Sequence, residues 1–150
     1  MKKYLIELNE EKCKKDKSGF YRYIEGKVNG SPIKKYIENI YEDIYGRLGI
    51  GDYMYDKGTR EIVEISNVYP LEVMRTFLDP IPISDDILIR MGFRHIKDSS
   101  KYIKDECGIL LEFISDGDCD IYFINKKVHY VNELQNISIV ISNKELKIIS

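Results

Sequence analysis

Six side chains in the first quarter of the chain suit nucleic-acid binding: Tyr21, Arg22, Tyr23, Lys27, Lys34 and Lys35. Tyrosine rings can stack on unpaired bases, while lysine and arginine contact phosphates. Glu25 and Glu38 lie among these residues and reduce the positive potential. A solvated sheet edge with its tyrosines in the core explains the same residues more simply. A nucleic-acid surface is therefore an alternative and not the first expectation.

Three aspartates, Asp116, Asp118 and Asp120, have the spacing with which a calcium loop begins. The pattern then fails. Ile121 stands where the sharp turn needs glycine, and Lys127 stands where the loop needs a bidentate glutamate. These aspartates fit a hairpin turn better, so the sequence predicts no metal site.

The chain has two histidines, His95 and His129, and neither has a cysteine at zinc-ligand spacing. No Gly-x-Ser-x-Gly elbow accompanies them. Gly46, Gly49 and Gly51 precede a predicted strand, whereas a phosphate-binding loop precedes a helix. The sequence therefore predicts a non-enzymatic protein with no catalytic residue and no cofactor.

The composition is that of a globular protein, with 150 residues, 43% hydrophobic and 32% charged, and a net charge of −2. This balance excludes a strongly basic nucleic-acid binder. No apolar run is long enough to span a bilayer.

Cys13, Cys107 and Cys119 are odd in number and form no Cys-x-x-Cys pair, which suits a reducing compartment. We expect a cytoplasmic protein with no membrane partner. Cys13 lies among lysines that could activate its thiol, although an ordinary exposed thiol is the simpler expectation.

The clearest start and stop signals lie between residues 80 and 93. Ser84 can cap a helix whose first turn carries Asp85 and Asp86, and Gly92 can end it in the left-handed conformation. Helical spacing of apolar residues predicts two further helices, over 32–48 and 131–142. Apolar runs elsewhere predict β-hairpins, and 146–149 reads as a final strand.

These elements predict an α+β fold in which antiparallel hairpins pack with three helices, at about 32–48, 85–91 and 131–142. The glycines near residue 49 suggest a boundary. We therefore expect a ββα N-terminal subdomain over 1–48 and an α+β domain over 49–150.

Four segments of the second region resemble ordered motifs of a group of small uncharacterised proteins from bacterial phages and mobile elements. They are Ile-Gly-Asp-Tyr at 50–53, Pro-Ile-Pro-Ile-Ser-Asp-Asp at 80–86, Met-Gly-Phe at 91–93, and Tyr-Val-Asn-Glu-Leu-Gln-Asn-Ile at 130–137. The resemblance covers about residues 48–149. Asn132 stands where that group has histidine. The resemblance implies a genomic context and transfers no catalytic residue.

Three functions follow as hypotheses. The first is a non-enzymatic phage or mobile-element accessory protein that binds a host protein, for example as an anti-CRISPR type of inhibitor of bacterial defence. The second is a nucleic-acid-binding module that uses the Lys/Tyr surface of residues 1–47. The third is an oligomeric sponge that captures a signalling nucleotide.

Overall fold

A computed structural model describes residues 1–39, 48–115, 118–122, 124 and 126–149. The chain divides into two compact units, Met1–Pro80 and Ile81–Ser150. Both units combine short helices with mainly antiparallel strands, so the predicted α+β class is confirmed.

In its described residues, the first unit contains two sheets and one α-helix. Its elements are β1 (Lys2–Tyr4), β2 (Ile6–Leu8), β3 (Lys14–Lys15), β4 (Tyr21–Val28), β5 (Ser31–Tyr36), β6 (Tyr53–Asp56), β7 (Ile62–Ile65), α1 (Leu71–Phe77) and β8 (Leu78–Pro80). One sheet has the strand order β1-β7-β6-β8, with β1 parallel to β7. In the other sheet β4 is central, with β2 and β3 along one side and β5 along the other.

The predicted helix over 32–48 is wrong for its first residues, which form strand β5. Asn29 and Gly30 have φ angles of 50° and 83°, as a type I′ hairpin turn requires, and they return the chain directly onto β4. Six residue pairs then join β4 and β5. Ile37 is buried while Tyr36 is exposed, which is the alternation of a strand. Residues 40–47 of the predicted helix lie outside the described part of the chain.

The two sheets of the first unit share one apolar core. It comprises Tyr4, Ile6, Tyr21, Ile24, Ile37, Met54, Val63, Ile65, Val73, Met74 and Leu78. The division of the chain falls after Pro80, whereas the sequence placed it after residue 48. Residues 2–4 pair with β7, and residues 4–37 supply five of the eleven core residues, so the described residues before position 40 share their packing with the segment from Met54 to Leu78.

The second unit is a five-stranded antiparallel sheet with two helices. Its elements are α2 (Asp85–Arg90), β9 (Arg94–His95), β10 (Lys101–Lys104), β11 (Ile109–Ser115), β12 (Asp118–Ile121), β13 (Lys126–Val128) and α3 (Val131–Ser142). The strand order β13-β12-β11-β10-β9 follows the chain, so each strand pairs with its neighbour in sequence.

Both predicted helices of this unit are confirmed, with their ends. The Ser84 hydroxyl accepts the N–H of Ile87 at 3.3 Å, Gly92 has φ 87°, and Asn143 ends α3 with φ 56°. Residues 144–149 form no strand, contrary to prediction. Their carbonyls instead accept bonds from α3, where Ser138 Oγ donates to Lys144 at 2.7 Å. None of the helices in the described residues is long and apolar enough to span a membrane.

Candidate binding surface

All six predicted binding residues lie on the hairpin formed by β4 and β5, but they do not form one patch. The register places Tyr23, Lys27 and Lys34 on one face of the hairpin, because alternate residues of a strand point to opposite sides. Arg22 and Lys35 point to the other face, together with the fully buried Ile24. The sheet therefore separates the cations that the sequence grouped.

Tyr21 is buried and cannot stack on a base. Its hydroxyl donates to Glu10 Oε1 at 2.7 Å, and its backbone N–H donates to the buried carboxylate of Glu72 at 2.9 Å. Burial, followed by the bond to Glu10, raises the pKa of Tyr21 above its usual range. This tyrosine belongs to the core, as the simpler sequence interpretation held.

Glu25 makes two side-chain contacts on the face of the hairpin that carries Tyr23, Lys27 and Lys34. It accepts the Tyr23 hydroxyl at 2.7 Å and forms an ion pair with Lys34 Nζ at 3.5 Å. The bond from Tyr23 lowers the pKa of Glu25, and the positive charge of Lys34 adds to the effect. The same bond raises the pKa of Tyr23 to about 12. Tyr36 packs on Tyr23, with ring centroids 4.7 Å apart, and is 75% exposed.

The two cations of the opposite face also have protein partners. Arg22 Nε donates to Asp16 Oδ2 at 2.9 Å. Partial burial opposes ionisation of Asp16, but Arg22 and two backbone N–H groups outweigh it and lower the pKa of this carboxyl. The Lys35 ammonium lies 5.7 Å from the centre of the Phe77 ring. Lys27 is exposed and lies opposite Glu7 of β2 in the register of the sheet.

The outer edge of β5 is the most distinctive feature of this hairpin. The N–H of Ile37 donates to the carbonyl of Arg22, so these two residues form a hydrogen-bonded pair. Along an antiparallel ladder, hydrogen-bonded pairs alternate with pairs that are not hydrogen-bonded. The backbone groups of Lys35 and Ile33 therefore point toward β4, and those of Tyr36, Lys34 and Pro32 point away from it. In the described part of the chain, β4 is the only strand that pairs with β5.

An open cavity of about 650 Å³ lies beside this hairpin and β2. Lys12, Lys27 and Lys34 line it together with Glu7 and Glu25, among other residues. The charges nearly balance, with three cations and two carboxylates. The sequence analysis did not find this cavity because Lys12 and Glu7 are distant in the chain from β5.

Tyr36 is not among the six predicted binding residues, because helical spacing placed it among the apolar residues of the predicted helix over 32–48. The signal that could have found it is Asn29-Gly30, which is the strongest short hairpin signal and implies a strand after it. An edge strand with alternating exposure would then have left Tyr36 facing solvent.

The remaining sequence candidates are dispersed. Asp118 contacts His129, with Oδ1 and Nδ1 2.5 Å apart, and Asp116 lies outside the described residues. Within the described residues, no three histidine, cysteine, aspartate or glutamate side chains cluster as a metal site would require. Cys13 is half-buried, with its thiol 3.7 Å from the carbonyl of Glu25, and all three cysteines are free thiols.

Comparison of the chain with protein-family models, curated proteins and solved structures finds no match. The function is therefore inferred from the geometry of the described residues.

Proposed function

We propose that this protein is a non-enzymatic accessory protein that binds a host protein by accepting an extended acidic segment along the outer edge of β5. The observation that carries this proposal is the row of outward backbone groups at Pro32, Lys34 and Tyr36. An added strand gains affinity from main-chain hydrogen bonds and specificity from alternate side chains.

The charge of β5 favours an acidic partner strand. Lys34 has a side chain that is 78% exposed, and Lys35 follows it on the other face. Lysine and proline on an edge strand also discourage pairing between identical strands, because two copies of β5 would bring like charges together. The same residues therefore oppose self-association and favour a strand that carries aspartate or glutamate.

Tyr36 provides an anchor for such a partner. Exposed tyrosines are frequent energetic centres of protein interfaces because the rigid ring buries a large area at low entropic cost. Tyr23 supports the ring of Tyr36 from the neighbouring strand. The edge thus offers backbone groups, positive charge and an aromatic contact within one strand.

The decisive experiment compares capture of host proteins by the wild type, Lys34→Pro and Lys34→Gln. Proline at position 34 removes the outward N–H, whereas glutamine removes only the charge. We expect the wild type to retain a partner that Lys34→Pro loses and that Lys34→Gln binds more weakly. Equal thermal stability of the two variants would show that the loss does not come from unfolding.

Hydrogen exchange on the purified complex then locates the contact. We expect the partner to slow exchange of the Lys34 and Tyr36 amides, while the Ile33 and Lys35 amides, which already bond to β4, change little. If Lys34→Pro captures the same partner as the wild type, the edge is not the interface. If no variant captures any host protein, the binding function itself is abandoned.

The wider role, inhibition of a bacterial defence system by a phage or mobile-element protein, rests on the sequence resemblance alone. Its test is whether expression of the protein protects an infecting phage in a host with an active defence system. Protection that Lys34→Pro abolishes would support it.

The cavity beside β2 favours the nucleotide sponge as the second candidate. The cavity has a volume of about 650 Å³, and its lining of three lysines and two glutamates leaves one positive charge in excess, which favours a small anionic ligand. A ligand that binds only the native state must raise its thermal stability. An unchanged melting temperature across a panel of signalling nucleotides would remove this candidate.

A further inference from the structure

The cavity beside β2, β4 and β5 is lined by two rows of side chains that cross the sheet. In one row Glu7, Lys27 and Pro32 stand opposite one another on the three strands. In the next row on the same face, Glu25 stands opposite Lys34. All five residues line the cavity, which therefore extends from β2 to the edge strand β5. We call it the cross-strand groove.

Backbone atoms form the floor of the cross-strand groove. Leu8, Gly26 and Ile33 stand opposite one another between the two rows and also line the cavity. Leu8 and Ile33 pack against the core of the first unit, so their side chains lie on the other side of the sheet. The space above this middle row is therefore open to a side chain that enters from outside.

Lys27 has no partner of its own in the cross-strand groove. Lys34 Nζ lies 3.5 Å from Glu25 Oε1, and the charge of Lys12 also acts on Glu25. Lys27 is exposed, and within the described residues it forms no side-chain hydrogen bond or ion pair, not even with Glu7 opposite it. Its ammonium group can therefore bind a carboxylate without first giving up another contact.

Pro32 leaves the cross-strand groove open toward the outer edge of β5. Lys27 and Pro32 form a pair that is not hydrogen-bonded, and such pairs bring their side chains close together. The proline ring is short and uncharged, and neighbouring strands lie only about 4.8 Å apart. The longer Lys27 side chain can therefore extend past Pro32 to meet a side chain on a strand added outside β5.

Resting on the proposed strand addition, we propose that the cross-strand groove selects a partner strand with two acidic residues separated by one apolar residue. Alternate residues of an added strand point to the same side and lie about 6.8 Å apart, which matches the spacing of Lys34 and Pro32. One carboxylate then lies beside Lys34, and the other passes Pro32 and meets Lys27. The residue between them points to the side of Ile33, where an apolar side chain fits.

The test is an NMR titration of the full chain with three synthetic peptides, followed at the amides of Lys34 and Tyr36. The alternating peptide, acetyl-Thr-Val-Glu-Val-Glu-Val-Thr-amide, has the same order of residues in both directions. The adjacent peptide, acetyl-Thr-Val-Glu-Glu-Val-Val-Thr-amide, has the same charge but places its carboxylates on opposite sides of the strand. The neutral peptide has glutamine in place of both glutamates of the alternating peptide.

Replacement of Lys27 should affect the alternating peptide alone. We expect Lys27→Gln to weaken its binding about two- to fivefold, the range of an exposed ion pair. The adjacent peptide should keep its affinity, because its single carboxylate on this face lies beside Lys34. The neutral peptide should also keep its affinity, because it has no carboxylate for Lys27 to bind.

The matched control is Lys14→Gln, which removes the same charge from an exposed lysine of β3 that does not line the cavity. It should bind all three peptides as the wild type does. Both lysines are exposed, so both variants should fold, and equal melting temperatures check this.

Lys34→Pro separates failure of this inference from failure of strand addition, because it removes the outward N–H on which all three peptides depend. No loss of the alternating peptide in Lys27→Gln, equal losses of the alternating and adjacent peptides, or equal losses in Lys27→Gln and Lys14→Gln would each overturn the role of the cross-strand groove. Strand addition would still stand if Lys34→Pro lost the peptides that the wild type binds. If the wild type binds none of them, both proposals are overturned.

Discussion

Asp85 shows how one residue can serve a helix end and a tertiary contact together. It lies in the first turn of α2, where a carboxylate interacts favourably with the exposed N–H groups. It also accepts a hydrogen bond from the Tyr102 hydroxyl of β10. Burial, followed by this bond, raises the pKa of Tyr102 to about 12. Asp85 therefore links α2 to the sheet of the second unit. These contacts explain why an aspartate stands beside Asp86 without any acid-base chemistry.

Replacement of the cap residue tests the start of α2. Ser84→Ala should lower the free energy of unfolding by about 1 kcal/mol, because the N–H of Ile87 loses its side-chain acceptor. Ser84→Asn should restore most of the loss, since asparagine caps as well as serine. Ser100→Ala, at an exposed position of the same unit, is the control. Equal urea midpoints for wild type and Ser84→Ala would contradict the cap.

Glu25 gives a prediction about pH. Its pKa is lowered in the folded protein, so its contribution to stability is present above its unfolded pKa, about 4.3, and is lost as pH falls through the lower folded value. Glu25→Gln should therefore reduce the loss of unfolding free energy between neutral and acidic pH. Denaturant melts at several pH values measure this slope. Glu11→Gln, an exposed charge change, should keep the wild-type slope.

At the scale of elements, hairpin β4–β5 shows two local signals in competition. Apolar residues from Ile33 onward fit a helical period, while Asn29-Gly30 fits a hairpin turn. The turn prevails at the start of this segment because it aligns β5 with β4, which is already paired on its other side. Periodicity over a few residues cannot detect a partner strand.

The contact between β2 and β4 depends on a glycine. A Cβ atom added to Gly26 would lie 2.1 Å from the Glu7 carbonyl oxygen and 2.7 Å from Leu8 Cα, both of which are backbone atoms. Gly26→Ala should therefore destabilise the protein by about 1–3 kcal/mol as the strands separate. At Gly49 the nearest atom would be 3.8 Å away, so Gly49→Ala is a matched control for chemical denaturation. Similar midpoints for both variants would argue against this close strand approach.

At the scale of the molecule, two strands that are consecutive in the sequence lie in different sheets of the first unit. β1 pairs in parallel with β7 through Lys2↔Val63, Lys3↔Glu64 and Tyr4↔Ile65, while β2, two residues after β1, joins the other sheet. The ion pair between Lys3 and Glu64, at 2.7 Å, accompanies this pairing. The first residues therefore hold the two sheets of the first unit together.

Fragments of the chain test this organisation. Residues 1–80 should fold alone, because they contain both sheets and the whole core of the first unit. Residues 1–48 should not, since β1 loses β7 and the core loses Val63, Ile65, Met74 and Leu78. Dispersion of amide signals in NMR spectra distinguishes the two results. A well-dispersed spectrum from 1–48 would restore the boundary that the sequence suggested.

The sequence by itself determined the features that depend on near neighbours. Ser84, Gly92, Asn143 and the turn at Asn29-Gly30 act through their own backbone conformation or through residues three or four positions away, so their roles could be recognised locally. The α+β class followed from the same signals.

Only the tertiary structure decided which residues that are distant in sequence lie next to each other. The burial of Tyr21, the outward edge of β5 and the convergence of Lys57, Arg60 and Arg75 on Asp79 all depend on pairing between segments distant in sequence. Such pairing is set by the summed burial of many side chains and by strand register, and no short motif encodes it. For that reason the sheet separates the six residues that are grouped in the sequence.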